Sequence, residues 1–470
     1  MIINSDFKST ISSIQSILQI NKSFDVIEKI IIIGGKKTYM YYIDGFVKDD
    51  LLQRIMTGFF KISKEEMSSL KTSKDFIEQQ VPYVEVAEEK NIESLVTLVL
   101  SGQLAMLIDG YESAIMLDSR TYPARSPEEP EKEKVLRGSK DGFVETIVFN
   151  TALIRRRIRD ANLIFEMHSI GDLSKTDVAI GYLKNNCDDK ALSIIKKKVK
   201  ELKVKSLTMS DQSLIEAISG YTINPFPKVR YTERPDVAAA HILDGKIILI
   251  VDNSPSAIIL PTSFFDFLQD IDDYYVPVVT GNFLRIIRNF IFLATFLITP
   301  LYLLIAKNPT DIPDFLKFLI PTENYAVPLI VQFLLLELAI DGLKLASLNT
   351  PNSLGMSLSV IGGLILGEFA IKTGYFIPQS ILYMAIVALG TFSQPSIEMG
   401  YSVKFMRLIL LILTSLFNVV GFISGIIITI IFISTTKTIT GDPYLYPLIP
   451  FNWKKLKALI FRTKLKSNLP

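Results

Sequence analysis

Three carboxylates stand inside apolar runs of the chain: Glu337, Asp341 and Glu368. A charge at the middle of a bilayer costs about 2.5–3.5 kcal/mol on insertion scales, so acids in such runs face a partner, a cavity or the interface. Glu368 lies near the end of the run "LGMSLSVIGGLILGEFAI", residues 354–371. Wound as a helix, this run has two faces. Gly355, Ser359, Gly363 and Gly367 make a stripe of small residues, which lets helices approach closely in lipid. Roughly opposite fall Ser357, Ile361, Leu364 and Glu368. Several copies of that second face around an axis would line a pore with an apolar constriction and an acidic ring. Such a constriction gates by dewetting, and the ring favours cations. The blander reading leaves Glu368 snorkelling at a span end. Glu337 and Asp341, one turn apart, form a second intramembrane acidic pair, also near an end.

Other chemistry is sparsely provided for. The chain has two histidines, His168 and His241, and one cysteine, Cys187, so no zinc-ligand spacing and no intramolecular disulfide arise. His241 falls on the buried-looking face of a helix, as a packed histidine does. "IGGKKT", 33–38, resembles the end of a phosphate loop, but Ile30 and Ile31 stand where its first glycine is needed, and a strand-to-strand turn fits better. No nucleophile, base or metal constellation is visible, so neither an enzyme nor a cofactor is expected. "TALIRRRIRD", 151–160, puts Arg155, Arg156, Arg157 and Arg159 on a short helix, either for docking to an acidic partner or membrane, or as a solvated face. "NPFPKVRYTERPDVAAAHIL" offers Thr232 as a helix cap and Pro235 in the first turn. Its Glu233, Arg234 and Asp236 read as a salt-bridge latch between subdomains or subunits, or as an ordinary helix start.

The elements that must hold these residues divide the chain. Up to about Val279 the sequence reads as soluble α/β, and beyond it as a series of apolar runs at 285–306, 325–343, 354–371, 376–394 and 405–434. A span needs about 20 apolar residues, so the 30-residue last run fits one tilted helix or a hairpin turning near Asn418 and Gly421. Arg285 and Arg288 stand at the entry to the first run, and a basic tail follows the last. Basic residues favour the cytoplasmic side, which puts both ends inside and favours an even number of crossings. The N-terminus lacks the charged start and apolar core of a secretory signal, so the N-terminal region is expected in the cytoplasm. Net charge is only +2 and gives no reason to expect nucleic acid. The expected fold is thus a soluble α/β region of two tandem similar modules, followed by an α-helical transmembrane domain of five to six spans. The segments are 1–119, the first module; 120–134, a charged proline-containing linker; 135–280, the second; 281–436, the membrane domain; and 437–470, a basic tail.

The tandem modules are read from a repeat. "LSGQLAMLIDGYESAIML", Leu100 to Leu117, aligns without a gap on "LDGKIILIVDNSPSAIIL", Leu243 to Leu260. Leu, Gly, Asp, Ser-Ala-Ile and Leu recur in register. Similar strand and helix patterns precede each, so this stretch is the closing hairpin of both modules.

Taken in order, "RGSKDGFVETIVFNTALIRRRIRD", "PFPKVRYTERPDVAAAHILDGKIILIVDNSPSAIILPTSFFDFLQ", "FLRIIRNF", "SVIGGLILGE" and "PYLYPLIPFNWK" resemble the A subunits of the GerA-type spore germination proteins. The wording of "YTERPDVAA", "VDNSPSAIILPT" and "YPLIPFN" looks closest to the family's stage V sporulation branch. The resemblance covers about residues 25–458. It implies a two-part cytoplasmic α/β domain ahead of a membrane domain, in the spore inner membrane or plasma membrane. It also implies a homo-oligomer, a pentamer, acting as a cation channel beside other germination membrane subunits, with nutrient sensed by a separate B subunit. Relatives commonly carry Gln where this chain has Glu368; either a charge there alters conductance or its pH dependence, or the position does not line the pore. A non-conducting scaffold and a secondary transporter are the alternatives. The clear repeat lies in the soluble half rather than among the apolar runs, which counts against a transporter.

Overall fold

Alternation decides the core of the first module. Along β2 (Lys36–Ile43) and β4 (Leu104–Ile108), successive side chains point to opposite faces of one sheet. Tyr41, Ile43, Ala105 and Leu107 pack with α1 (Phe7–Ile17) and α5 (Ile92–Leu100). Met40, Leu104, Met106 and Ile108 pack on the other side with α2 (Asp49–Phe59), α3 (Lys64–Ser69) and α4 (Ser73–Gln80). Helices thus cover both faces, which is why β4 is apolar throughout. The structure, a computed structural model, describes residues 2, 3, 6–47, 49–119, 133, 137–220, 222–321, 325–348 and 370–461.

With β1 (Val26–Ile33), β3 (Val86–Glu89) and β5 (Ala114–Leu117) added, the first sheet is antiparallel in the order β1-β2-β4-β5-β3. The glycine pair of "IGGKKT" turns β1 into β2, with φ of +50° at Gly34 and +84° at Gly35. A tight hairpin turn asks for this conformation.

The second module repeats the design. Its strands are β6 (Leu163–Ile170), β7 (Thr176–Leu183), β8 (Arg230–Thr232), β9 (Ile247–Val251) and β10 (Ala257–Leu260). They pair in the order β6-β7-β9-β10-β8, the same path as the first sheet. The bounds of β4 and β5, moved by the 143 residues of the sequence repeat, fall on those of β9 and β10. The turn residues agree as well: Gly110 has φ +88° and Asn253, at the same place in the second copy, has φ +64°. Its helices are α6 (Ile147–Arg157), α7 (Asp189–Lys200), α8 (Ser210–Ser219) and α9 (Pro235–Leu243). Thr232 belongs to β8, not to a cap. The N-cap of α9 is Arg234, whose N–H donates to the Thr232 hydroxyl at 3.2 Å.

The chain divides into two units, Met1–Tyr221 with Val229–Pro261, and Thr222–Lys228 with Thr262–Pro470. Hydropathy alone put the break at 280. It falls earlier because Phe226 and Phe267 join Met399, Val403, Met406 and Tyr444 in one apolar cluster.

The second unit is helical: α10 (Asp272–Tyr275), α11 (Val278–Lys307), α12 (Leu329–Leu348), α13 (Pro378–Phe392), α14 (Ile397–Thr435) and α15 (Trp453–Ile460). Among the described residues, α11 and α14 are long and apolar enough to cross a membrane. The larger number expected counted three further segments. Of these, α12 carries Glu337, Asp341 and Lys344, α13 has 15 residues, and 354–369 of the run 354–371 lie outside the described residues.

α14 is a hairpin. Asn418, at φ 52° and ψ −129°, breaks it into arms 397–417 and 419–435. A Cβ on Gly425 would meet the Cα of Leu410 at 3.2 Å, and one on Gly421 would meet the Leu413 carbonyl. Residues 15 positions apart in a straight helix lie about 22 Å apart, so the arms run antiparallel in contact. The tip is fixed by the side-chain amides of Asn308 and Asn418, each donating to the other's oxygen at 2.7 Å, and by Lys307, which donates to the Ser415 carbonyl.

Candidate functional site

The hairpin's first arm and α12 meet with their residue numbers running in opposite directions, which brings four charges together. On α12, Glu337 and Asp341 are four apart and share a face. On the arm, Lys404 and Arg407 are three apart and share another. Arg407 Nε donates to Glu337 Oε1 at 2.9 Å, and Nη2 donates to the same oxygen. Lys404 Nζ lies 3.2 Å from Glu337 Oε2 and also contacts Asp341. Arg407 Nη1 donates to the Thr295 carbonyl of α11 at 2.9 Å. The side chains of Arg407 and Glu337 are 1% and 6% exposed, while that of Asp341 is 36% exposed. Two cations answer two carboxylates, so the cluster is neutral and joins three helices. One turn on, Lys344 lies over the Tyr401 ring at 4.6 Å.

Burying any one of these charges alone would cost several kcal/mol, and pairing with added hydrogen bonds offsets that cost. The arrangement fixes which helix faces meet and at what register. Lys404 and Arg407 were missed from the sequence: Lys404 precedes the apolar run begun at 405, and Arg407, two residues inside it, was passed over. Two basic residues at helical spacing beside that start were the available signal.

Ser357, Ile361, Leu364 and Glu368, with the stripe Gly355, Ser359, Gly363 and Gly367, lie outside the described residues.

In the first unit, the charged helix start does something local. Arg234 is fully buried and grips Asp236 with two donors, Nε to Oδ1 at 3.1 Å and Nη2 to Oδ2 at 2.8 Å. The same guanidinium donates to the carbonyls of Glu133 at 3.2 Å and Ser139 at 2.8 Å. The Glu233 carbonyl accepts from Phe143 N–H at 2.8 Å, and its own N–H donates to the Glu133 carboxylate. Burial pushes the Glu133 carboxyl above the ordinary range, against the pull of Arg230 and the Thr232 hydroxyl. These contacts tie the end of the linker to the second module's own helix.

The bridge between the modules comes from "RRRIRD". Arg155 is fully buried and forks onto Asp25, ahead of β1, with Nε to Oδ2 at 2.9 Å and Nη2 to Oδ1 at 3.1 Å. Its third donor reaches the Asp160 carbonyl. Beside it Phe24 N–H donates to the Phe165 carbonyl at 3.0 Å, and Phe165 N–H donates to the Ser23 hydroxyl at 2.8 Å. Ala152 of α6 sits in the first module's core. Of the arginines read as a docking surface, Arg155 is therefore internal and Arg157 pairs with Asp141 at 2.7 Å, while Arg156 and Arg159 are exposed.

Two repeated antiparallel α/β modules, ahead of a helical unit with its charges paired inside, define the class of protein. The chain belongs to the GerA family: the family described as Bacillus/Clostridium GerA spore germination protein matches residues 13–469. It is 40% identical over 443 residues to stage V sporulation protein AF of Bacillus subtilis, covering 94% of this chain and 89% of that one. It is 28% identical over 450 residues to spore germination protein KA of the same organism, covering 94% and 82%. The crystal structure of the N-terminal domain of the A subunit of the Bacillus megaterium spore germinant receptor GerK3 matches 56% of this chain and 98% of that one. The match has 25% identity and a TM-score of 0.41.

Proposed function

We propose that the chain is an A-type subunit of a germinant receptor-like complex, in the spore inner membrane or plasma membrane. It assembles as a homo-oligomer, a pentamer, into a cation channel that opens during germination. Other germination membrane subunits are its partners. The reading involves no catalysis and no cofactor. Family membership over residues 13–469 carries it.

The helical unit supports six crossings. Call the end where residues 262–277 lead in the base and the Asn418 end the tip. α11 runs from base to tip, and α12 returns, since Glu337 meets Arg407 and Asp341 meets Lys404. α13 starts at the tip, where Gln332 Oε1 accepts from Ile377 N–H and the Ser380 hydroxyl, and ends near Gly400. The hairpin arms go up and down. The apolar run 354–371, read from the sequence alone, is the candidate for the crossing that this alternation asks for between α12 and α13. Both ends then lie at the base, in the cytoplasm or spore core. Glu337 and Asp341 are engaged by cations of the same chain, so the pore assignment rests on the face with Glu368.

The test is cation flux through the purified chain, with partners, in proteoliposomes, comparing wild type with Glu368→Gln and Leu364→Ala. Flux whose rate or selectivity changes in both variants is expected. Flux indifferent to both removes the pore face. No flux from folded oligomers with partners and signal supplied leaves a scaffold.

A further inference from the structure

The C-terminal segment presents a surface that neither the channel reading nor the family description uses. From Leu448 to Phe461 large apolar side chains stand out from the helical unit: Ile449 is 55% exposed, Phe451 66% and Trp453 61%. Phe451 and Trp453 stack at 6.3 Å. Among them Lys454, Lys455 and Lys457 of α15 are exposed. After Asp442 the sequence has six basic side chains and no Asp or Glu. A surface of this kind is unfavourable in water, and its charge is of one sign.

Its position says what covers it. Only Leu456 of the helix's large apolar residues is turned fully inward, at 7% exposure. Arg285, 2% exposed and paired with Asp273 at 3.3 Å, donates through Nη1 to the Leu459 carbonyl at 2.9 Å. This fixes α15 beside the start of α11, the helix whose Phe283, Ile286, Phe290 and Leu293 face outward. The apolar band of a membrane-crossing helix therefore begins at the level of α15. Tryptophan and lysine at that depth, with apolar side chains between them, match the headgroup boundary of a bilayer.

We infer that residues 448–461 form an interfacial anchor that binds anionic phospholipid headgroups through Lys454, Lys455 and Lys457, with Phe451 and Trp453 inserted at the acyl boundary. The segment thus reads the charge of the leaflet at the base. Each lysine near an anionic surface contributes about five-fold to partitioning, an effect that salt weakens.

Trp453 is the chain's single tryptophan, so its emission reports this site alone. The full chain is reconstituted in phosphatidylcholine vesicles with and without phosphatidylglycerol. Trp453 is then quenched by lipids brominated near the headgroup and, separately, by aqueous acrylamide. With phosphatidylglycerol present, strong lipid quenching and several-fold lower acrylamide access are expected. K454Q/K455Q/K457Q should remove the dependence on phosphatidylglycerol, and K454R/K455R/K457R should keep it. Lipid quenching that ignores both phosphatidylglycerol and the lysines overturns the headgroup binding. Full acrylamide access in every vesicle overturns the anchor. Shielding from acrylamide without lipid quenching also overturns it and assigns the surface to another copy or another protein.

Discussion

Arg155 in the first unit and Arg407 in the second are both buried, and both bind a carboxylate and a backbone carbonyl. Their surroundings differ. Arg155 and Asp25 cancel one to one, with the Phe165 ring beside them, and they join parts of the chain 130 residues apart. Arg407 shares Glu337 with Lys404, which also holds Asp341. Here Glu337 has two cations and Lys404 two carboxylates, while Arg407 has Glu337 as its carboxylate. The redundancy thus covers Glu337 and Lys404 and not Arg407, and the first unit's one-to-one pair has none among the described residues.

The largest effect should come from Glu337→Ala, which strands Arg407 while leaving Lys404 with Asp341. A loss of about 3–5 kcal/mol is expected, read as thermal loss of the monodisperse peak in detergent. Lys404→Met should cost much less, since Glu337 keeps Arg407 and Asp341 is partly exposed. Equal losses in the two variants would break the redundancy argument. Asp25→Ala comes next. It should weaken the inter-module bridge by up to about 3–5 kcal/mol, part of it recovered if solvent reaches Arg155. Faster amide exchange at Phe24 and Phe165 than in the rest of the two sheets is the expected signature. Unchanged exchange there would show that the shared apolar core holds the modules without the ion pair.

The smallest effect sharpens the contrast through pH. Burial holds the His168 imidazolium below the ordinary histidine value of 6.5, Glu166 opposing and Lys196 and Lys200 adding to the shift. The unfolded chain then takes up this proton more readily than the folded one. The stabilisation is complete above about pH 6.5 and is lost as pH falls toward the folded value. His168→Asn should flatten that slope in thermal melts followed by far-ultraviolet dichroism. A variant that melts with the wild-type slope would assign the acid sensitivity to other groups.

Most of the soluble region was legible because each signal was local. The closing hairpins and the Gly34–Gly35 turn were read from alternation and glycine. β3 and β8 were missed for physical reasons. β3 is a charged edge strand, "VAEE", and β8 has three residues leading straight into a helix. Neither is long enough for a period to show. The hairpin in α14 was favoured by charge balance, but its register depends on Gly425 meeting Leu410, a contact that hydropathy does not encode. Arg155 and Arg407 were the hardest to place. An arginine's exposed and buried roles look alike in sequence, and their partners sit 130 and 70 residues away.

The matched turns at Gly110 and Asn253 bear on how a doubled module drifts. After a copy is made, each position is free to change only within what its backbone tolerates. Here both copies hold a positive φ, one with glycine and one with asparagine, the side chain that best bears that conformation after glycine. The two turns have exchanged residue identity and kept the sign of one torsion angle. At this turn the repeat persists in the backbone where the letters diverge. Asn in the first turn, or Gly in the second, should therefore be accepted without loss of the hairpin.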